Sequence, residues 1–328
     1  MCTDCKEKAE TPTINNMMIT VFTPTYNRVH LLKRLYESLS GQTVYDFEWL
    51  VVDDESTDNT NIFLEKVSSS NIPFPVRYYV QKHGGKHRAI NLALKHARGR
   101  YFFIVDSDDW LPENAIELLK SWLQEIQGIP ELCGVAGQKA LADGKPVGNS
   151  FEGKDYVDAS SLERKKLHIE GDKAEVFDTE VLRDHPFPEF DGEFFVTEAV
   201  CWNAIAADGY KLRWYNEPVY YCEYLEDGLS KSGANDLRGH IANFQGYSCY
   251  IRQCLTIKNR LDSYRDFVDF EKTCGAMGLT ERERAKALQW SKEKYRMNKV
   301  LVMPLVHNIK RVIYVSQKAR AFLSKKTL

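Results

Sequence analysis

Apolar and polar positions follow two alternating periods over the first third of the chain. Short runs rich in β-branched and aromatic residues, each ending in turn residues or acids, predict four strands: MITVFTPTYN, FEWLVVDDESTDNT, VRYYVQ and RYFFIVDSDD. Between them, HLLKRLYESLS, residues 60–67 and HRAINLALKHARG are interpreted as helices, the last with Gly99 as its C-cap. This strand–helix alternation predicts an α/β fold, with a mainly parallel sheet flanked by helices.

The pattern of apolar and polar positions changes further along the chain, and these changes indicate boundaries between regions. From about residue 130 it is irregular, strand–helix order resumes near KAEVFDTEVLRDHPFPEF and FVTEAVCWNAIAADGYKLRWY, and the last third is mainly helical. We therefore expect a loosely ordered leader at 1–16, an α/β domain at 17–235 with halves 17–112 and 113–235, and a helical C-terminal region at 236–328.

Composition and charge exclude several classes of protein. The 328 residues carry a net charge of −2, which argues against nucleic acid as the main partner. No apolar run is long enough to predict a transmembrane helix, and the N-terminus lacks the apolar core of a secretory signal. The eight cysteines have no framework spacing, so we expect reduced thiols and a cytoplasmic protein.

Polar and acidic residues follow three of the predicted strands where each strand ends, in TPTYN, VVDDES and VDSDD. Ligands of open α/β sheets bind at the carboxyl ends of the strands, so these segments should converge on one site. In the third segment, Asp106, Asp108 and Asp109 crowd together, and such hard oxygen ligands suit Mg²⁺ or Mn²⁺ bound with substrate phosphates. The alternative is the acidic, solvated N-terminus of the helix that follows. The chain has no P-loop motif and no GxGxxG after the first strand, which weakens the ordinary nucleotide-binding interpretations.

Four motifs occur in order along the chain: TPTYNR, VVDDESTDNT, GGKHRAINLALKHARGRYFFIVDSDD and TEAVCW. Together they resemble the family 2 glycosyltransferases, inverting enzymes of the GT-A fold, over roughly residues 17–230. The resemblance implies a nucleotide-sugar donor, usually a UDP-sugar, and a divalent cation, Mn²⁺ or Mg²⁺, held by a DxD motif. It makes 17–112 the half that binds the nucleotide-sugar and 113–235 the half that binds the acceptor.

The resemblance also implies positions for the nucleoside of the donor. The loop that borders the nucleoside would include Pro24, Thr25, Tyr26 and Arg28. Tyr26 would stack on the base, although it could instead cap the core. Asp54 would accept a hydrogen bond from the uracil ring, whereas Asp53 would support the turn.

A second group of positions concerns the phosphates, the ribose and the metal. Lys86 matches a basic position near the base and phosphates, and the two glycines before it allow close backbone approach to a ligand; an ordinary exposed lysine is the alternative. Asp106 resembles the acid that contacts the ribose, with Ser107 beside it in the donor site. Asp108 resembles the principal metal ligand, and Asp109 would share either role.

Inverting transfer needs a base that accepts the proton of the attacking hydroxyl. Many relatives carry a Glu-Asp pair four residues before a Trp, and here Glu198 stands at the second acidic position before Trp202. Thr197 replaces the first acid, which leaves one fewer like charge beside the base. Glu198 is therefore the predicted catalytic residue, with Glu193 as its nearest competitor.

The C-terminal segment 294–328 holds nine Lys or Arg and no acid, and apolar residues within it have helical spacing. A basic amphipathic helix can lie on an anionic membrane, so we consider peripheral association; the alternative is a terminal helix packed on the protein. The predicted function is transfer of a sugar to a glycan or lipid-linked glycan, as in cell-surface polysaccharide synthesis. A nucleotidyltransferase acting on a sugar phosphate and a non-catalytic sugar-nucleotide-binding protein are the rival interpretations.

Overall fold

The computed structural model describes residues 18–223, 236–257 and 263–299. The chain divides into two compact units, 1–232 and 233–328. The predicted leader at 1–16 and most of the basic tail lie outside the described residues.

The first unit contains eight strands and six helices among its described residues. The strands are β1 (Ile19–Thr25), β2 (Phe47–Asp53), β3 (Val76–Val80), β4 (Tyr101–Ile104), β5 (Leu132–Leu141), β6 (Tyr156–Ala159), β7 (Lys173–Asp178) and β8 (Lys211–Cys222). The helices are α1 (Val29–Ser40), α2 (Thr60–Ser68), α3 (Lys86–His96), α4 (Ala115–Glu125), α5 (Thr179–Asp184) and α6 (Ala199–Ala207). The four strands and three helices predicted for the first third of the chain are all present.

The eight strands form one sheet in the order β3-β2-β1-β4-β7-β5-β8-β6. The pairs β1–β2, β1–β4, β2–β3 and β5–β8 are parallel. Strand β7 is antiparallel to both β4 and β5, and β6 is antiparallel to β8 at the edge. The predicted α/β architecture is confirmed, with a mixed sheet in which parallel pairs predominate.

The core explains why these segments fold as they do. All seven residues of β2 are buried, and α1 turns Leu32, Leu35 and Leu39 into the same core. One local prediction is wrong: α3 ends at His96, so Gly99 is not its cap. A Cβ at Gly99 would lie 2.3 Å from the backbone nitrogen of Thr20, so the glycine permits close approach of two backbone segments instead.

The second unit is helical in its described part, as predicted. It contains α7 (Leu237–Ala242), α8 (Phe244–Ile257), α9 (Ser263–Ala276), α10 (Glu281–Ala287) and a further helical segment at 292–299. Phe267, Phe270 and Tyr295 are fully buried in its core. Among the described residues of the whole chain, no helix is both long and apolar enough to cross a membrane.

Candidate active site

The carboxyl ends of β1, β2 and β4 meet at one edge of the sheet. The parallel register aligns Thr25 with Asp53, and the backbone N–H groups of Asp54 and Val105 donate to carbonyls of β1, each at 2.8 Å. Asp53 accepts a bond from the backbone N–H of Ser56 at 3.0 Å and so supports its turn as expected. The predicted convergence of three polar strand ends is therefore confirmed.

Two of the predicted donor residues, Pro24 and Thr25, are the last residues of β1. Thr25 and Ser107 are both buried at this edge. The Thr25 hydroxyl has no hydrogen-bond partner within the described part of the chain. The contacts with a nucleoside that were assigned to these residues remain predictions.

Lys86, the first residue of α3, joins two predicted site residues that are distant in sequence. Its Nζ lies 2.6 Å from Oδ1 of Asp106 and 2.9 Å from Oε1 of Glu198. Burial alone would lower the pKa of Lys86, but the charges of the two carboxylates outweigh it and raise that pKa above its ordinary value. For Asp106, burial opposes ionisation, yet Lys86 and further nearby cations hold its pKa below the ordinary value. Both groups are therefore charged at neutral pH.

Asp54 holds the turn that precedes α3. Its Oδ1 accepts hydrogen bonds from the Gln81 side chain at 2.6 Å and from the backbone N–H of Gly84 at 2.9 Å. Its Oδ2 accepts from the backbone N–H of Gly85 at 2.9 Å and lies 2.9 Å from Nδ1 of His83. A carboxylate offers about four acceptor positions, so these partners occupy its capacity. The uracil contact assigned to Asp54 stays a prediction, and it would require one of these partners to be displaced.

Gly85 has a structural role in the turn before α3. It has φ +90°, and a Cβ there would lie only 1.9 Å from the backbone oxygen of Phe194. The close approach that this glycine permits is to the segment that leads to Glu198. The turn before α3 and this segment are packed backbone against backbone. The predicted approach to a ligand stays a prediction.

An aromatic stack stands at the exposed side of the same turn. Tyr26 stacks on His83 with ring centroids 4.3 Å apart, and His83 stacks on Phe194 at 5.1 Å. The two outer rings, Tyr26 and Phe194, are exposed, which rules out a core-capping position for Tyr26. Flat exposed rings of this kind can bind the face of a nucleobase.

Two arginines of the first helical segment hold the turn that contains Asp108. Arg28, immediately before α1, donates to Oδ2 of Asp108 at 2.7 Å. Arg34 donates to the backbone oxygen of Asp108, and its guanidinium lies 4.0 Å from the centre of the Trp110 ring. The predicted metal ligand is therefore paired with a cation from the predicted nucleoside loop.

Asp109 is buried and has hydrogen-bond partners within the protein. Its Oδ2 accepts from the Tyr220 hydroxyl at 2.6 Å, and its Oδ1 accepts from the backbone N–H of Glu223 at 3.4 Å. Burial, together with the charges of Asp106 and Asp108, raises the pKa of Asp109 to about 7. The shared metal role predicted for Asp109 stays a prediction, and it would require Asp109 to give up one of these two hydrogen bonds.

The carboxylates present fit a metal that is held mainly by its substrate. Within 18–223, 236–257 and 263–299, no group of three or more His, Cys, Asp or Glu side chains could hold a metal ion. Mg²⁺ usually takes one or two carboxylates together with substrate phosphates and waters, so a larger cluster is not required. Asp108 fits as such a ligand once Arg28 turns to another partner.

Glu198 directly precedes α6, at the end of a segment that packs on α3. Asn91 of α3 holds this segment, because its side chain both donates to the Phe187 carbonyl and accepts from the Phe187 N–H, each at 2.9 Å. The Glu198 side chain is 40% exposed, whereas Glu193 is buried. Access for an acceptor hydroxyl therefore favours Glu198 over its competitor.

Sequence reasoning missed two charged residues of this edge. Lys139 of β5 has its Nζ 4.2 Å from the centre of the Tyr220 ring, and the charges of Asp106 and Asp109 raise its pKa despite burial. Glu175 of β7 has a raised pKa, chiefly because of burial, with a contribution from the charge of Glu198. A signal existed for both, since each is a charged residue within an apolar strand pattern, LCGVAGQKAL and KAEVFD.

Comparison with known sequences indicates a function for the site at this edge of the sheet. Residues 20–129 match the family model described as Glycosyl transferase family 2. The chain is 38% identical to the chondroitin synthase of Escherichia coli over 114 residues, which are 34% of this chain and 16% of that protein. It is 33% identical over 105 residues to UDP-Glc:alpha-D-GlcNAc-diphosphoundecaprenol beta-1,3-glucosyltransferase WfgD of Escherichia coli, covering 32% of this chain and 40% of that protein. The match thus spans less than half of either relative.

Solved structures extend the likeness to most of the chain. TarS of S. aureus, solved with UDP-GlcNAc, has a TM-score of 0.60 at 19% identity, covering 79% of this chain and 73% of that one. The mannosyltransferase PcManGT from Pyrobaculum calidifontis, solved with GDP-Man and Mn²⁺, has a TM-score of 0.50 at 17% identity, covering 95% and 84%. Likeness at these identities concerns the fold, and it confirms the predicted GT-A architecture. The likeness to glycosyl transferase family 2 in sequence is confined to residues 20–129, about a third of the chain, while the likeness in fold extends beyond them.

Proposed function

We propose that this protein is a metal-dependent inverting glycosyltransferase. It would move a sugar from a nucleotide-sugar, foremost a UDP-sugar, to a hydroxyl of a glycan or lipid-linked glycan during the synthesis of cell-surface polysaccharide. The observation that carries the proposal is the contact of Lys86 with both Asp106 and Glu198, at 2.6 and 2.9 Å. It joins a strand-end acid suited to the donor and an accessible carboxylate suited to the acceptor within one site.

The donor half of the reaction would use the exposed ring of Tyr26 and the charges at the strand ends. Tyr26 offers a stacking surface for a base, and an ionised Asp106 can accept a hydrogen bond from a ribose hydroxyl. Lys86 pairs with Asp106 and Arg28 pairs with Asp108, and both cations can pair with phosphate oxygens.

The acceptor half would depend on Glu198. Its carboxylate would accept the proton of the acceptor hydroxyl as that oxygen attacks the anomeric carbon from the face opposite the leaving diphosphate. Half-exposure makes this carboxylate reachable, and the helix that begins after it favours a negative charge at this point.

A divalent cation would be held by Asp108 together with the donor diphosphate. When bound, it would supply positive charge against the negative charge that develops on the leaving diphosphate. Arg28, released from Asp108, would then be available to the phosphates.

The relatives support the substrate classes. The name of WfgD specifies a UDP-Glc donor and a diphosphoundecaprenol-linked acceptor. TarS was solved with UDP-GlcNAc and PcManGT with GDP-Man and Mn²⁺. These descriptions favour a nucleotide-sugar donor, a divalent metal and a lipid-linked or polysaccharide acceptor for this chain as well.

The direct test is a panel of UDP- and GDP-sugars, each with Mn²⁺, Mg²⁺ or EDTA. Thermal stabilisation identifies the donor, because a ligand that binds only the folded state raises the unfolding midpoint. Release of nucleoside diphosphate then reports transfer. A parallel arm with nucleoside triphosphates and sugar phosphates tests nucleotidyltransfer: pyrophosphate release there, without turnover of any nucleotide-sugar, would overturn the proposal.

A variant pair tests the base. Glu198→Gln keeps the shape of the side chain but cannot accept the proton, so transfer should fall by roughly 10²–10⁴-fold. Glu193→Gln is the matched control and should retain turnover because Glu193 is buried away from the acceptor. If instead Glu193→Gln loses turnover and Glu198→Gln keeps it, the two roles must be exchanged.

A further inference from the structure

The Lys86 ammonium has two partners at once, and they belong to different halves of the proposed reaction. Asp106 is assigned to the donor, whereas Glu198 is assigned to the acceptor, and both lie within 3 Å of Nζ, at 2.6 and 2.9 Å. An ammonium has three N–H donors, and a donor diphosphate beside Asp106 offers several acceptor oxygens, so it can take the donors that one of the carboxylates now uses.

The two existing contacts are unequal. The contact with Asp106 is shorter, and that side chain is 30% exposed, whereas Glu198 is 40% exposed and its ion pair is therefore better screened by water. Glu198 also directly precedes α6, where the helix N-terminus stabilises a carboxylate without any cation. Of the two carboxylates, Glu198 therefore loses less electrostatic stabilisation when Lys86 turns away.

The backbone of Lys86 is fixed, so exchange of partners can involve only its side chain. The turn before it is held by the bonds from Gly84 and Gly85 to Asp54, each at 2.9 Å. On its other side the turn packs against the backbone of Phe194, four residues before Glu198. A long flexible side chain on a rigid base is suited to move between two nearby anions.

We propose that the donor phosphates and Glu198 compete for Lys86, so that donor binding releases the Glu198 carboxylate toward the acceptor. This inference rests on the proposed function and adds an order of events to it, in which the donor binds first and the base becomes available afterwards. Before the donor binds, the base is paired with a cation; after the donor binds, the base is free to accept a hydrogen bond from the acceptor hydroxyl. Lys86 is on this account a positioning residue for Glu198.

The competition can be measured without knowing the sugar or the acceptor, because it predicts the affinity for UDP itself. Glu198→Gln removes the competitor of the diphosphate, so UDP with Mn²⁺ should bind about two- to fivefold more tightly, the range expected for a half-exposed ion pair. Lys86→Gln should weaken UDP binding by about tenfold or more, since a charge-assisted contact is lost. When Lys86→Gln is already present, adding Glu198→Gln should not increase the affinity for UDP.

Two variants control for unrelated effects. Glu189→Gln removes a carboxylate from the same segment that contacts Arg88 rather than Lys86, and it should leave UDP affinity unchanged. Lys86→Arg keeps the charge and should retain most of the UDP affinity, which separates loss of charge from loss of folding. The gain in Glu198→Gln should also shrink as salt is raised, because exposed charges are screened.

The experiment is calorimetric titration of the full chain with UDP at constant Mn²⁺. Equal or weaker UDP binding by Glu198→Gln would overturn the competition, and so would a gain that persists in the Lys86→Gln background. If the parent protein binds neither UDP nor GDP with Mn²⁺ or Mg²⁺, the proposed function fails and the competition fails with it. Binding by the parent without coupling between the two positions rejects the inference alone.

Discussion

His87 should make the stability of the first unit depend on pH in a way that one variant can isolate. This second residue of α3 is 1% exposed, and neither of its ring nitrogens has a hydrogen-bond partner among the described residues. Burial, reinforced by the charge of Arg88, lowers the pKa of His87 to about 4. The unfolded chain should titrate near the ordinary histidine value of about 6.5.

The sign and the size of the change in stability with pH follow from proton linkage. Between these two pKa values the unfolded state binds the proton and the folded state does not, so stability is full above about pH 6.5 and is lost as pH falls toward 4. Lowering the pH from 7 to 5 should cost the folded state about 2 kcal/mol through His87. That is a large part of the stability of an ordinary domain, which is roughly 5–15 kcal/mol.

The assay compares the parent with His87→Leu, which places an apolar side chain there that cannot titrate. Denaturant unfolding at pH 7 and pH 5 can be followed by tryptophan fluorescence, because five of the six tryptophans belong to the 1–232 unit: Trp49, Trp110, Trp122, Trp202 and Trp214. At pH 7 the variant should equal or exceed the parent, since it removes unpaired buried nitrogens. Other titrating groups contribute to both proteins, so the difference between the two pH dependences reports His87. Identical losses of unfolding free energy in the two proteins would refute the reasoning.

Three further predictions concern the site and the tail. Asp108→Ala should abolish Mn²⁺-dependent UDP binding with an unchanged far-UV spectrum, and retained metal-dependent binding would reject its assignment as the ligand. Asp54→Ala should weaken UDP binding by at least about tenfold and lower the unfolding midpoint, because several charge-assisted bonds to the turn before α3 are lost; calorimetry with unchanged affinity would contradict this. Deleting 300–328, which keeps the buried Tyr295, should reduce binding to anionic liposomes at low salt; if the parent ignores such liposomes, the tail has no membrane role.

The strand ends could be predicted from the sequence because the relevant pattern is local. Alternating strands and helices indicate parallel pairing, and parallel pairing brings the ends of β1, β2 and β4 to one edge wherever the rest of the chain lies. The insertion of β7 between β4 and β5 was not predictable in this way. It depends on pairing between segments about 75 positions apart, as in Phe103 with Val176, and local periodicity contains no information on that choice.

Hydrogen-bond and ion-pair partners could likewise be predicted from the sequence where they are local, and could not where they are distant in sequence. Asp53 bonds three residues along the chain, and its role as a turn support was anticipated. Asp109 instead accepts a hydrogen bond at 2.6 Å from the hydroxyl of Tyr220, more than a hundred residues later. Lys86 and Glu198 are likewise remote in sequence and meet only through the packing of the segment 185–198 on α3. Motifs could assign these residues to one site, but they could not say which charge neutralises which.

Gly85 has a consequence for how mutational data on this protein should be interpreted. A saturation screen for lost transfer would rank position 85 beside the acidic residues, although the glycine has no side chain with which to do chemistry. Any other residue there would bring a Cβ to within 1.9 Å of the Phe194 carbonyl and would force apart the turn and the segment that ends at Glu198. Such variants would lower turnover whatever the size or charge of the new side chain, because the Cβ itself makes the clash and φ is +90°. A library built to alter substrate choice should therefore hold this position constant and vary the exposed rings of Tyr26 and Phe194 instead.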